Sequence, residues 1–346
     1  MYSVVIPAYN AELYIRNCIL SIVHQSYPPV AIIVIDDCST DCTAEIVKSL
    51  MKIVPNLGLS TLNTNQGPNA ARNFGLKLVK SDFVAFCDAD DYWDTFKAEH
   101  QINFFLKNPA GLIYCSCYVV DSFGQKISDL LPRRNSELGK FELDFQELLS
   151  GNKVYGGASG VIIQKSVFDH VGFFDERLRG HEDWDMWLRV AEFYKLRYCE
   201  ESVIYIRKHG HNAQNNKQFM LHQDFLFRQK WASRVKSKKA ILHWRWAVHT
   251  NYHSLSSLKQ LIEKSNYHYK KIICTFDIGP FMIPNTSLKL YSLFQKVFPQ
   301  LLRVFPSILI CLLQKSGHKK TICFKRLNSR LLLLKSAVSF IIMGKV

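Results

Sequence analysis

Short apolar runs alternate with helical patterns over residues 3–86, and this rhythm limits the chain to very few architectures. Ser3–Ile6 stops at Pro7 and leads into an amphipathic helix from about Ala11 to Ser26. Ala31–Ile35 stops at Asp36-Asp37, and a helix follows over Thr43–Ile53 with Ser39 and Thr40 as candidate caps. Leu57–Leu62 reads as a third strand, Gly67–Lys80 as a helix and Phe83–Phe86 as a fourth strand. Continuous rather than alternating apolar strands are buried on both faces. The chain is therefore read as α/β, with a mostly parallel central sheet and helices on both faces. Ligands bind such sheets beyond the carboxyl ends of the strands. Asn10, Asp36, Asp37, Asp88, Asp90 and Asp91 all follow a strand. Surface decoration does not explain why they gather at one edge.

The middle is less regular. Leu112–Val120 reads as a strand, Leu143–Leu149 as a short helix, Gly160–Ile163 as a strand and Asp183–Phe193 as a helix. The polar stretch Gln214–Lys217 marks a boundary. It divides a domain over 1–213, with halves 1–110 and 111–213, from a basic, apolar helical extension over 214–346. Lys and Arg are dense beyond Arg228 while acids are scarce, so the formal net charge of +15 is unevenly placed. Such an asymmetry calls for an anionic partner. Basic and aromatic residues interleave there as in a single-strand nucleic-acid groove. Leu288–Leu313 and Leu331–Met343 are too apolar for one, however, and no nucleic acid is expected. The apolar runs Val304–Gln314 and Leu331–Gly344 fall short of the roughly 20 residues that span a bilayer. Helices lying on an anionic membrane surface fit better.

With 48% hydrophobic residues the chain can build its core without covalent staples. Its ten cysteines form no tight ligand cluster and read as free, buried thiols of a reducing compartment. No basic leader precedes Tyr2-Ser3-Val4-Val5-Ile6. The expected location is the cytoplasm, peripheral on the cytoplasmic face of the membrane.

Chemistry gathers at the strand ends. Asp88, Asp90 and Asp91 follow Phe83–Phe86, and carboxylates at such an edge suit a hard divalent cation that bridges protein to phosphate. A solvated acidic turn is the plainer reading of Asp-x-Asp alone. Asp36-Asp37 can accept hydrogen bonds from a base and a ribose, or can cap the helix that follows. Arg72 lies one turn inside the helix opened by Gly67-Pro68, where it faces either a nucleotide or solvent. Glu182-Asp183 offers a proton acceptor, or favourable charge at a helix N-terminus.

Taken together, four segments resemble the inverting family 2 glycosyltransferases with the nucleotide-binding GT-A fold. They are Val5-Ile6-Pro7-Ala8-Tyr9-Asn10, Asp36-Asp37-Cys38-Ser39-Thr40-Asp41, Asn65–Gly75 and Asp88-Ala89-Asp90-Asp91-Tyr92-Trp93. The match covers roughly residues 1–211, and Gly157–Gly160, Phe173-Phe174-Asp175-Glu176 and Glu182-Asp183-Trp184 extend it to the acceptor side. The resemblance implies transfer of a single sugar from a nucleotide diphosphate, UDP by family habit, to a saccharide or lipid-linked acceptor hydroxyl. Surface polysaccharide or lipopolysaccharide is the implied setting. It places the nucleotide at Pro7, Ala8, Tyr9, Asn10, Glu12, Asp37, Asn69, Arg72, Asp88 and Ala89. Mn²⁺ or Mg²⁺ falls to Asp90, Asp88 and His209, the last from Tyr205-Ile206-Arg207-Lys208-His209, with His211 a competitor. Asp183, beside Glu182, is the implied general base. The Gln-x-x-Arg-Trp motif of processive members is missing, since Leu242-His243-Trp244-Arg245-Trp246 lacks the Gln. A non-catalytic nucleotide-sugar-binding protein of the same fold is the alternative.

Overall fold

The computed structural model describes residues 1–130, 142–210, 215–251, 260–261, 263–274, 277–278 and 281–282. The chain divides into a compact unit over Met1–Ile273 and a second over Cys274–Val346.

The first unit opens as the apolar rhythm requires: β1 (Tyr2–Ala8), α1 (Ile15–Val23), β2 (Ala31–Asp36), α2 (Thr43–Met51), β3 (Leu57–Thr61), α3 (Pro68–Leu78) and β4 (Phe83–Phe86). These strands pair in parallel in the order β3-β2-β1-β4. Every residue of β1 is buried, as a central strand covered on both faces demands. Ile15, Cys18, Ile19 and Ile22 form the buried stripe of α1 at helical spacing. α3 starts at Pro68, whose fixed φ suits a first helical position, after Gly67 at φ 92°. A Cβ on Gly75 would lie 2.4 Å from Val5 Cγ1, so glycine lets α3 settle directly on β1.

The next elements are β5 (Tyr92–Trp93), α4 (Lys97–Lys107), β6 (Leu112–Val120), β7 (Lys126–Leu130), β8 (Glu142–Leu143), α5 (Phe145–Leu149), β9 (Ile162–Gln164), α6 (Ser166–Val171), α7 (Glu182–Ala191) and β10 (Leu196–Arg207). A 3₁₀ turn over Gly157–Gly160 precedes β9. The sheet continues as β4-β9-β6-β10-β5, with β7 on β6 and β8 on β10. β6 and β10 run parallel, while β9, β5, β7 and β8 pair antiparallel. The expected α/β class holds, with a parallel nucleotide half and a mixed outer half. The long strand β10 escapes the apolar reading because Glu200-Glu201 interrupts it, where the register shifts between Cys199 and Val203.

α8 (Lys217–Trp231), α9 (Lys238–Asn251) and α10 (Tyr267–Cys274) follow. The boundary expected between 213 and 214 is not where packing divides the chain. Phe227, Trp231 and Trp244 join the core that contains Phe86, Trp184 and Trp187. Trp244 Nε1 donates to the Leu149 carbonyl at 2.8 Å and Trp231 Nε1 to Asp185 Oδ1 at 2.9 Å. Phe227, Trp231 and Trp244 are thus interior side chains, and burial of rings this large outweighs the polar stretch that suggested a linker. A second core lies on the opposite sheet face, where α1 covers Tyr2, Val4 and Ile6.

In the second unit the described strands β11 (Asp277–Ile278) and β12 (Phe281–Met282) pair antiparallel. Among the described residues no helix is long and apolar enough to cross a membrane. The runs at 304–314 and 331–344 lie outside the described residues, as does His211.

Candidate active site

The expected nucleotide residues gather at the carboxyl edge of β1, β2 and β4. Asn10, at φ 49°, donates its backbone N–H to Ser39 Oγ at 2.9 Å, and its Oδ1 accepts the Thr40 N–H at 2.9 Å. Asparagine tolerates this left-handed conformation better than most residues. Glu12 Oε2 accepts the Cys42 N–H at 3.0 Å. Asn10 and Glu12 thus tie the loop after β1 to the loop after β2. Pro7 and Ala8 are buried within β1, while Tyr9 and Asn10 are exposed.

Two of the expected nucleotide residues hold backbone groups in this conformation. Asp37 is buried, and its two oxygens accept the Gln66 and Gly67 N–H groups at 2.8 and 2.7 Å. Its carboxylate fixes the turn that launches α3 instead of facing open space. Asn69 is also buried and donates to the carbonyls of Asp175 and Leu178. Its Oδ1 accepts from Arg72 Nη1 at 3.2 Å. Both side chains satisfy backbone groups that burial would otherwise strand.

Arg72 is only 3% exposed, and it joins the two halves. Its Nη2 donates to Asp88 Oδ1 at 2.7 Å, and Nη1 to Glu182 Oε1 at 3.3 Å. The Phe174 ring centroid lies 5.5 Å from Cζ. Burial opposes the charge, but Asp88 and then Glu182 outweigh it and raise the Arg72 pKa. The guanidinium stays charged, as Arg does at such sites. Read from the sequence, Arg72 faces nucleotide or solvent; the structure places it between two carboxylates.

The acidic loop after β4 divides its labour. Asp91 is buried, accepting Ser159 Oγ–H at 2.6 Å and the Arg207 N–H at 3.0 Å. Burial, then Asp90 and Asp88, push its carboxyl well above the ordinary carboxylate range. Ser159 Oγ also accepts the Asp88 N–H at 2.9 Å. Ala89 is buried between them. Asp90 Oδ2 lies 3.0 Å from His209 Nε2, and the His209 ring stacks on Tyr14 at 5.0 Å. Burial and then Asp88 raise the Asp90 pKa, against the pull of His209.

Asp88, Asp90 and His209 do not converge on one point in this conformation. Asp88 turns to Arg72, and no group of three or more His, Cys, Asp or Glu converges as a ligand set among the described residues. Asp90 and His209 remain. A cation held through one or two protein ligands plus phosphate needs no more, and like charge crowded at Asp88–Asp91 favours one. The residues present fit Mn²⁺ or Mg²⁺ on those terms.

Glu182 and Asp183 open α7, after His181 at φ 60°. Burial, then Glu182, push Asp183 up to about 7. Asn152 Nδ2 approaches Asp183 Oδ2 at 3.4 Å. A Cβ on Gly157, at φ 53°, would lie 3.3 Å from the same oxygen. The turn Gly157–Gly160 therefore passes Asp183 at one end and anchors Asp88 and Asp91 through Ser159 at the other. The sequence marks that turn but not the part Ser159 plays in it, nor the placement of Arg207 and Tyr14 around the acidic loop and His209. A buried serine in a glycine-rich turn carries no periodic signal.

The sequence profile described as Glycosyl transferase family 2 matches residues 3–172. An uncharacterized glycosyltransferase of Haemophilus influenzae is 30% identical over 219 residues, 63% of this chain and 83% of that protein. The chain belongs to glycosyltransferase family 2. TarS of Staphylococcus aureus, a poly(ribitol-phosphate) beta-N-acetylglucosaminyltransferase, is 43% identical over 94 residues, 26% of this chain and 16% of that protein. The crystal structure of S. aureus TarS 1-349 in complex with UDP-GlcNAc aligns with a TM-score of 0.55 at 20% identity, covering 79% of this chain and 90% of that one. At that identity the likeness speaks for the fold, which is GT-A. This family 2 chain is a glycosyltransferase.

Proposed function

We propose that the enzyme transfers one sugar from a UDP-sugar to an acceptor hydroxyl with inversion, with Asp183 as general base. The observation that carries this reading is the Asp183 carboxyl, pushed up to about 7 and joined through Glu182 and Arg72 to Asp88. A base poised near neutrality is suited to accept the acceptor proton as the hydroxyl attacks. A nucleoside diphosphate leaves without a general acid, so one carboxylate suffices. Single displacement by that route inverts the anomeric centre.

The donor lies over the edge where Tyr9 and Asn10 are exposed, on loops that Asp37, Glu12 and Asn69 hold in shape. UDP is favoured because a structural neighbour, TarS, was crystallised with UDP-GlcNAc. Asp90 and His209 would hold Mn²⁺ or Mg²⁺, which neutralises charge on the diphosphate. Asp88 keeps Arg72 in place behind them. The acceptor is a saccharide or lipid-linked saccharide of surface polysaccharide or lipopolysaccharide synthesis, reached from the cytoplasmic face of the membrane. Liposome co-sedimentation of the full chain tests the membrane contact, and recovery of the chain in the supernatant with anionic vesicles would oppose it. Turnover of a panel of nucleotide sugars with Mn²⁺ or Mg²⁺ tests the reaction. Absence of UDP release from every UDP-sugar would overturn the donor assignment.

A further inference from the structure

The outer half of the sheet carries an aromatic row with no part in the chemistry above. Tyr92 on β5, Tyr205 on β10 and Tyr118 on β6 occupy one register position across three adjacent strands. Their side chains therefore stand side by side on one face. The Tyr92 and Tyr205 rings stack with centroids 4.6 Å apart and planes 7° from parallel, and Tyr118 follows at 5.6 Å. All three are half-buried, and none of their hydroxyls has a hydrogen-bond partner among the described residues.

A cation closes each end of the stack. Arg207 Cζ lies 5.3 Å from the Tyr92 centroid, and Lys126 Nζ 3.6 Å from that of Tyr118. Tyr92 and Tyr205 cover each other's faces while Tyr118 is tilted 44° from Tyr205, and the row presents phenol edges and hydroxyls. Its cations are already engaged. Lys126 pairs with Asp129 at 2.6 Å, and the Arg207 guanidinium donates to the carbonyls of Asp90, Asp121 and Ser122. Phe123, 89% exposed, adds an apolar shelf on the turn between β6 and β7.

Position ties the row to the reaction. Tyr118 shares its face of β6 with Tyr114, because side chains four apart on a strand point the same way. Tyr114 packs in the core with Trp184 and Trp187 of α7. The row thus lies on the side of the sheet that carries α7, whose first turn holds Asp183. At its inner end Arg207 links Tyr92 to the Asp90 carbonyl.

We propose that the Tyr92–Tyr205–Tyr118 row is a binding subsite for the saccharide chain of the acceptor, taking an uncharged, hydroxyl-rich glycan along its phenol edges. Tyrosine edges offer apolar contact and a hydrogen-bonding tip together, which is what a sugar ring presents in return. The step between rings is close to the length of one pyranose unit. An anionic ligand fits less well, since both cations are spent within the protein. The inference rests on the transferase reading of the site and adds the acceptor's chemistry to it.

The test uses the full chain and a Tyr118→Phe/Tyr205→Phe double variant, which removes hydroxyls while keeping the rings. Both are applied to an array of neutral and anionic bacterial surface polysaccharides and neutral oligosaccharides. The wild type is expected to bind an uncharged glycan, and the double variant to bind it about tenfold more weakly, as losing two neutral hydrogen bonds entails. Matching thermal melts show that folding is unaffected. Unchanged affinity in the double variant, binding confined to anionic glycans, or no glycan bound would each overturn the subsite. Calorimetry of UDP on the wild type separates the two claims. Glycan binding without UDP binding would keep the subsite and sink the proposed donor; UDP binding with an inert row would do the reverse.

Discussion

Arg72 Nη2 lies 2.7 Å from Asp88 Oδ1, and through that contact α3 holds the acidic loop that follows β4. The same guanidinium reaches Glu182, the neighbour of Asp183, at 3.3 Å. The loop after β4 and the start of α7 are therefore tied together by one buried cation.

Replacing Arg72 by Ala leaves Asp88 and Glu182 facing each other without a counter-ion. Breaking a buried pair by removing one partner is costly, and here about 3 kcal/mol is expected, the low end of the range because Asp88 is partly open to solvent. Urea unfolding should show that loss together with severely reduced transfer. Arg72→Lys should recover part of the stability and little of the rate, since an ammonium cannot reach both carboxylates as a fork.

Ser159 is the second fastening. Its hydroxyl donates to Asp91 and accepts from the Asp88 N–H. Ser159→Ala strands both groups, at an expected cost of about 1–3 kcal/mol by denaturant unfolding. Transfer should slow as the acidic loop loosens. A variant as stable and as fast as the wild type would show that Arg207 alone holds Asp91.

These two residues also mark what the sequence could and could not disclose. Continuous strands and the polar residues that end them made the parallel half legible, because burial on both faces leaves a pattern in one dimension. Asp88, Asp90, Asp183 and His209 were singled out through family resemblance, which periodicity alone does not supply. The backbone bonds of Asp37 and Asn69 were not legible, since a polar side chain that binds backbone groups looks identical in sequence to one that binds a nucleotide. Ser159 and the Tyr92–Tyr205–Tyr118 row depend on register between strands far apart in the chain. Trp231 and Trp244 depend on the helices beyond 213 folding back onto α5 and α7, and no local pattern encodes that.

The pH dependence follows from Asp183. Its carboxyl must be ionised to accept a proton, so the transfer rate should climb with pH and level off above about 7. Stability runs the other way. Between its ordinary value of 3.8 and about 7 the folded chain holds a proton that the unfolded chain has released. The Asp183 contribution is thus fully present below 3.8 and lost as pH rises through 7. Asp183→Asn should raise stability at pH 8 by on the order of 2 kcal/mol and change it little at pH 4. Thermal melts at the two pH values check this.

The cation is tested by chelation. EDTA should abolish transfer, and Mn²⁺ or Mg²⁺ should restore it. Asp90→Asn should raise the metal concentration needed for half-maximal rate by about tenfold or more, consistent with loss of one carboxylate ligand. Full activity in EDTA would remove the metal from the account.

The central claim is that Asp183 is the base, and one paired measurement on Asp183→Asn tests it most directly. UDP affinity by calorimetry is expected to stay within about threefold of the wild type, because the substitution changes no group at the donor edge. Sugar transfer is expected to fall by about 10²–10⁴-fold, the usual contribution of a positioned base. Transfer at the wild-type rate with UDP binding intact would contradict the account.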